Sequence, residues 1–107
     1  MKDFIEFSEF LEIGKKIEIR IGKVLNSENV IKSKKLIKLE VDFGTEIRTV
    51  VTNLINIPLV GQKFAFVTNL KPVKIMGIES TAMILPGGET EKGSVVTINS
   101  DLGISLL

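Results

Sequence analysis

Apolar residues fall on every second position through two stretches of the chain. Ile17, Ile19 and Ile21 alternate with Glu18 and Arg20, and Ile37, Leu39, Val41 and Phe43 alternate with Lys38, Glu40 and Asp42. A period of two sends successive side chains to opposite faces, so both stretches predict strands with one buried face. Gly44-Thr45 turns the chain, and residues 46–52 return as a partner strand. Gly22 interrupts the first strand, as a bulge in a strongly bent barrel strand would. Residues 64–68, 81–85 and 94–98 carry the same short apolar signature. Short strands separated by turn residues predict a small closed or sandwiched sheet, and five core strands with a glycine-marked bend in the first fit a Greek-key barrel.

The N-terminal segment has a different period. Phe4, Phe7, Phe10 and Leu11 sit at helical spacing, with Asp3, Glu6, Glu9 and Glu12 on other faces, which predicts a helix over residues 3–13. Ser8 is a candidate cap for a shorter helix and Gly14 a candidate stop. Three of the six phenylalanines lie here, too much apolar surface for a solvated tail. The helix is expected to pack either on the barrel or on another chain.

A length of 107 residues fits a single domain over 1–107, able to bury roughly 60–70% of its unfolded surface in one core. The chain has no cysteine and no histidine, which removes disulfides, thiolate metal sites and the commonest general base. No acidic run has the spacing of a calcium loop, and no residue pair forms a nucleophile–base constellation. No cofactor and no catalysis are expected. No apolar run approaches the roughly 18 residues of a membrane span and the acidic N-terminus is unlike a signal peptide, so the protein is expected in the cytoplasm.

The net charge of +1 conceals a strong asymmetry. Eight basic residues from Lys15 to Lys38 face only Glu18 and Glu28, and Lys71 and Lys74 stand alone over residues 71–78, whereas both ends of the chain are acidic. Concentrated positive charge is an electrostatic footprint for polyanions, although a solvated lysine face has the same composition. Within residues 69–83, Lys71 and Lys74 can meet phosphates as point charges, Asn69 and Ser80 can hydrogen-bond bases or sugars, and Met83 offers a soft apolar face. Pro72 pushes the preceding residues toward an extended path. The same pattern also describes a polar loop between two strands.

Residues 69–83 resemble a family signature, Asn-Leu-Lys-Pro-x-Lys-x-x-Gly-x-x-Ser-x-Gly-Met, departing from it only at Ala82. This is the OB-fold tRNA-binding domain of bacterial structure-specific tRNA-binding proteins, of many methionyl-tRNA synthetase C-termini and of the endothelial monocyte-activating polypeptide, with the CsaA export chaperones as a sister branch. Residues 17–24 are similar to its opening strand, Val-Asp-Leu-Arg-Val-Gly-Lys-Ile, and residues 41–52 to its second hairpin, which usually ends Arg-x-Ile-Val-Ser-Gly. The implied fold is all-β: a five-stranded OB Greek-key barrel with a short N-terminal helix and extra C-terminal strands.

The resemblance implies tRNA-binding roles for Arg20 and Lys23 in the first block, Lys35 in the loop after it, Arg48 and Thr52 in the third block, and Asn69, Lys71, Lys74, Ser80 and Met83 in the signature. Arg48 is expected on the exposed face of its strand, with Asn69 and Ser80 completing a specificity set distinct from the lysines. Asn53 replaces a usual glycine, the loop at residues 28–36 lacks the family's histidine and proline while adding Lys32 and Lys34, and residues 54–59 are shorter than its helical connection. OB single-strand binders usually stack bases on aromatics. This chain has neither Trp nor Tyr, and Phe43, Phe64 and Phe66 follow core spacing, so recognition of a folded RNA by charge and shape fits better. Two functions follow from the resemblance: a non-catalytic tRNA-binding accessory subunit of methionyl-tRNA synthetase, or a CsaA-like chaperone for unfolded preproteins. The stretches 86–88 and 93–96 look more like the chaperone branch, and the lysine block with Arg48 more like the tRNA branch. Family precedent and the apolar helix together imply a homodimer.

Overall fold

Three strands form an antiparallel meander, β1 (Ile19–Asn29), β2 (Ile37–Asp42) and β3 (Ile47–Thr52), in a computed structural model that describes residues 1–54, 58–85 and 97–107. β4 (Lys63–Val67) pairs antiparallel with the first half of β1, from Ile19 opposite Val67 to Lys23 opposite Lys63. A hairpin of β5 (Val73–Ile75) and β6 (Ile78–Ser80) follows, and β7 (Met83–Ile84) pairs with β4. The curled sheet runs β3-β2-β1-β4-β7. Its two ends meet where the Thr81 amide donates to the Thr49 carbonyl (3.0 Å) and the Val51 amide donates to Ser80 Oγ (3.0 Å). This is the all-β OB-type architecture implied by the sequence.

β1 is long because it serves two partners, β4 through its first half and β2 through its second. The register shift falls between Val24 and Asn26, so the bulge is not at Gly22, which pairs regularly with Phe64. Gly22 has a different cause. A β-carbon there would stand 2.6 Å from Val41 Cγ1 and 2.7 Å from Phe43 Cε1, so glycine leaves the space that the Val41 and Phe43 side chains fill over β1.

The inward faces of the strands meet in one core in which Phe43, Phe64 and Phe66 are fully buried, as their spacing predicts. Phe43 and Phe66 pack edge to face with ring centroids 5.3 Å apart, an orientation that places a positive ring edge on a negative ring face. Helix α1 covers Phe7–Gly14, starting later than residue 3, with Glu6 rather than Ser8 at its N-cap and no side-chain cap bond. None of its residues is buried. The helix therefore does not contribute to the core.

At the C-terminus, residues 103–106 run beside β1 through hydrogen bonds such as Gly103 N–H to the Ile21 carbonyl (2.9 Å) and Leu106 N–H to the Ile19 carbonyl (2.8 Å). Among the described residues the expected C-terminal strands reduce to this run and the bridge between Arg20 and Ser105. Residues 94–96 of the strand expected over 94–98 lie outside the described residues, as do the stretches 86–88 and 93–96 and part of the 54–59 connection. Among the described residues no helix is long and apolar enough to cross a membrane.

Gly22→Ala should lower the unfolding free energy by about 1–3 kcal/mol through overpacking against Val41 and Phe43. Urea denaturation at constant m-value measures it, and an unchanged midpoint would show that β2 can draw back from β1.

Candidate nucleic-acid interface

Strand pairing puts Arg48 opposite Val41, whose side chain is buried. Arg48 therefore shares the inward face of β3 with Val50 and Thr52, not the exposed face expected for it. The reason lies at the barrel end, where the Phe43 ring needs cover. The Arg48 guanidinium lies 5.9 Å from the ring centroid and that of Arg20 lies 5.1 Å away, close enough for the ring quadrupole to attract both cations. Arg48 Nη1 donates to the Thr68 carbonyl (2.6 Å) and the Thr81 carbonyl (3.1 Å), tying β3 to the ends of β4 and β6.

Glu46 joins the two arginines. Its Oε1 accepts from Arg20 Nη2 at 3.0 Å and also from Arg48 Nε. The bond from Arg20, followed by that from Arg48, holds the Glu46 carboxyl below the usual carboxylate range. Arg20 Nε also lies 3.1 Å from Glu18 Oε1 and donates to Thr68 Oγ1 (3.2 Å). Neither Glu46 nor Thr68 was singled out from the sequence. The available signal was Glu46 two residues before Arg48, which on a strand places both on one face.

Three further residues expected as contacts make hydrogen bonds within the fold. Ser80 is only 8% exposed, and its hydroxyl accepts from the Val51 amide and donates to the Ala82 carbonyl (3.3 Å). Thr52 is buried, and its Oγ1 accepts from the Leu54 amide (3.4 Å). Asn69 is exposed, yet its Oδ1 accepts from the Glu18 amide (2.8 Å) and its Nδ2 donates to the Lys16 carbonyl (2.6 Å). Asn69 thus staples the start of β1 to the end of β4.

The lysines behave differently. Lys71 and Lys74 are exposed on the β5–β6 hairpin and its approach, so most of this segment is a hairpin and not the polar loop that its pattern also allows. Met76 and Gly77 form its turn with φ of 52° and 82°, the left-handed pair that lets a two-residue turn match strand twist. Lys71 lines an apolar groove of about 320 Å³ together with Met83, Val73 and the buried Ser80. A second groove, about 520 Å³, lies between β3 and this segment and includes Arg48, Thr68, Leu70, Pro72, Glu79 and Thr81. Lys35 is exposed in the β1–β2 loop with Lys32 and Lys34, away from both grooves. Lys23 is half-buried and stands opposite Asp42 on β2 and Lys63 on β4. Lys38, from the same basic stretch, pairs with Glu28 at 3.0 Å, which raises its pKa.

A curled five-stranded sheet closed on itself, with one groove lined by Arg48 and another by Lys71, has the architecture of an OB-type barrel. The family model described as "Putative tRNA binding domain" matches residues 19–105. The chain belongs to this tRNA-binding domain family. It is 46% identical over 78 residues to the methionine–tRNA ligase of Methanospirillum hungatei JF-1, covering 69% of this chain and 12% of the ligase. The chain thus spans a small part of the curated relatives it matches. Among solved structures, a MetRS related protein from Pyrococcus horikoshii superposes with a TM-score of 0.78 at 39% identity, over 99% of this chain and 100% of that one. The chaperone CsaA from Bacillus anthracis str. Ames superposes with a TM-score of 0.70 at 27% identity, over 98% and 100%.

Because the arginines depress the Glu46 pKa, the stability it contributes is fully present above the ordinary carboxylate pKa. That contribution is lost as pH falls through the lowered folded value. Glu46→Gln should therefore lower the melting temperature most near neutral pH, with the gap to wild type closing in acid. A pH-independent gap would mean that the lost contact is one of packing rather than charge.

Proposed function

We propose that this chain is a non-catalytic, cytoplasmic tRNA-binding protein that acts as an accessory subunit of methionyl-tRNA synthetase. The observation that carries the reading is the division of labour among the basic residues. Arg20 and Arg48 are held by Glu18, Glu46 and backbone carbonyls. Lys35, Lys71 and Lys74 are exposed and form no ion pair among the described residues. These lysines, with Lys23 beside them in charge, attract phosphates, and Met83 gives the apolar groove a face for a base or ribose. Arg20, Arg48, Thr52, Asn69 and Ser80 keep the grooves in shape. Family membership supports tRNA as the polyanion, and the likeness to the MetRS related protein supports the synthetase partner.

Binding of bulk tRNA should weaken steeply with salt. At about −0.7 to −0.9 in log K per log salt for each neutralised phosphate, four to six contacts give a slope of roughly −3 to −5. Lys71→Ala and Lys74→Ala should each reduce the slope by about 1 without lowering the melting temperature. An electrophoretic shift measures this. A flat slope, or affinity indifferent to both substitutions, would remove the tRNA reading.

A second reading, a CsaA-like chaperone for unfolded preproteins, draws on the likeness to CsaA and on the exposed N-terminal apolar face. Suppression of aggregation in a light-scattering assay by protein that does not shift tRNA would favour it.

We also propose a homodimer. Phe4 and Phe7 are 92% and 72% exposed, and Phe10 and Leu11 are exposed on the same segment, an apolar surface that a two-fold partner would cover. Sedimentation equilibrium at micromolar concentration should give twice the chain mass, and Phe7→Asp with Phe10→Asp should give a monomer. A monomeric wild type would overturn the proposal.

A further inference from the structure

Glu79 is at odds with a surface that receives a polyanion. It is exposed on β6, lines the larger groove, and stands across the hairpin from Lys74 in register. Its carboxylate nevertheless makes no hydrogen bond or ion pair among the described residues. The other carboxylate of that groove, Glu46, is matched by two guanidinium groups. A free negative charge beside Lys74 opposes phosphate binding, unless the groove admits a part of the RNA that carries hydrogen-bond donors.

Nucleobases are that part, and the rest of the groove is suited to one. Ile47 is 61% exposed and Leu70 is 49% exposed, and with Pro72 they give the groove apolar walls. A volume of about 520 Å³ exceeds what one base needs. Of the four bases, only guanine presents two adjacent donors on its Watson–Crick edge, N1–H and an N2–H. These match the two oxygens of a carboxylate in the parallel geometry that makes bidentate pairs strong. Adenine and cytosine offer an amino donor next to an acceptor, and uracil offers a single N–H between two carbonyls. We propose that the groove between β3 and β6 is a nucleobase subsite in which the Glu79 carboxylate accepts N1–H and N2–H of an unpaired guanine. Ile47, Leu70 and Pro72 bound the ring, and Lys74 lies within one strand of the same nucleotide's phosphate. The inference rests on the tRNA-binding reading and assigns a base to it.

The test turns on a sign. If Glu79 only repels phosphates, Glu79→Gln tightens binding of bulk tRNA. If Glu79 receives guanine, the same substitution weakens it, by about fivefold to a hundredfold for loss of one bidentate base contact, with an unchanged melting temperature. Kethoxal, which modifies guanine at N1 and N2, gives an independent readout on the unaltered protein. At least one unpaired guanine of bulk tRNA should be protected in the wild-type complex and reactive again with Glu79→Gln. Tighter or equal binding by the variant, or tRNA bound with no guanine protected, overturns the subsite while leaving the tRNA reading intact. Wild-type protein that fails to shift tRNA at all overturns both, and is distinguished by the absence of any complex.

Discussion

Phe43 lies at the end of the barrel with its ring edge-on to Phe66 and its flank against Gly22. Much else follows from that placement. The ring fits where it does because residue 22 has no side chain to occupy the same space. One face of the ring remains at the barrel mouth, where Arg20 and Arg48 cover it with planar guanidinium groups. A lysine would do this poorly, since its ammonium is a point charge with no plane to lay on a ring. The arginines in turn fix Glu46 and the carbonyls of Thr68 and Thr81. An aromatic contact in the core thereby sets the position of the polar groups that shape the grooves.

The basic residues consequently divide by chemistry. Arg20 and Arg48 are built into the barrel, whereas Lys35, Lys71 and Lys74 stay in solvent. A set of exposed lysines carries charge without fixed geometry, so the field it sets up is long-ranged and screened by salt. Shape comes from the grooves flanking the β5–β6 hairpin, whose lining includes Leu70, Pro72, Glu79 and Met83. The hairpin is held by its left-handed turn at Met76 and Gly77 and by the bonds of Ser80 and Thr81 to β3. The polar residues that look most like ligand contacts are therefore partly the ones that keep the binding surface in place.

The N-terminal helix stands apart from this arrangement. It has the amphipathic spacing of a packed helix and no buried residue, and its apolar face is not part of the core. Phe4 and Phe7 leave most of their apolar surface in water, an exposure that costs free energy.

Much of the fold was legible in the residues. Alternation over residues 36–43, and the Gly44-Thr45 turn with the return over 46–52, match β2 and β3 to within a residue or so, because patterning and turn chemistry are local properties. The signature at residues 69–83 was legible as a motif. The sequence by itself determined the all-β class, the family and the charge asymmetry. That Gly22 makes room for a neighbouring ring instead of marking a bulge, and that Arg48 faces inward, came only with the tertiary structure, because both depend on where Phe43 comes to rest. The same holds for Ser80 and Asn69, whose hydrogen bonds reach 29 and 51 residues along the chain. A short polar side chain reads alike whether it meets RNA or a distant backbone amide, since its partner is chosen by the fold and not by its neighbours in sequence.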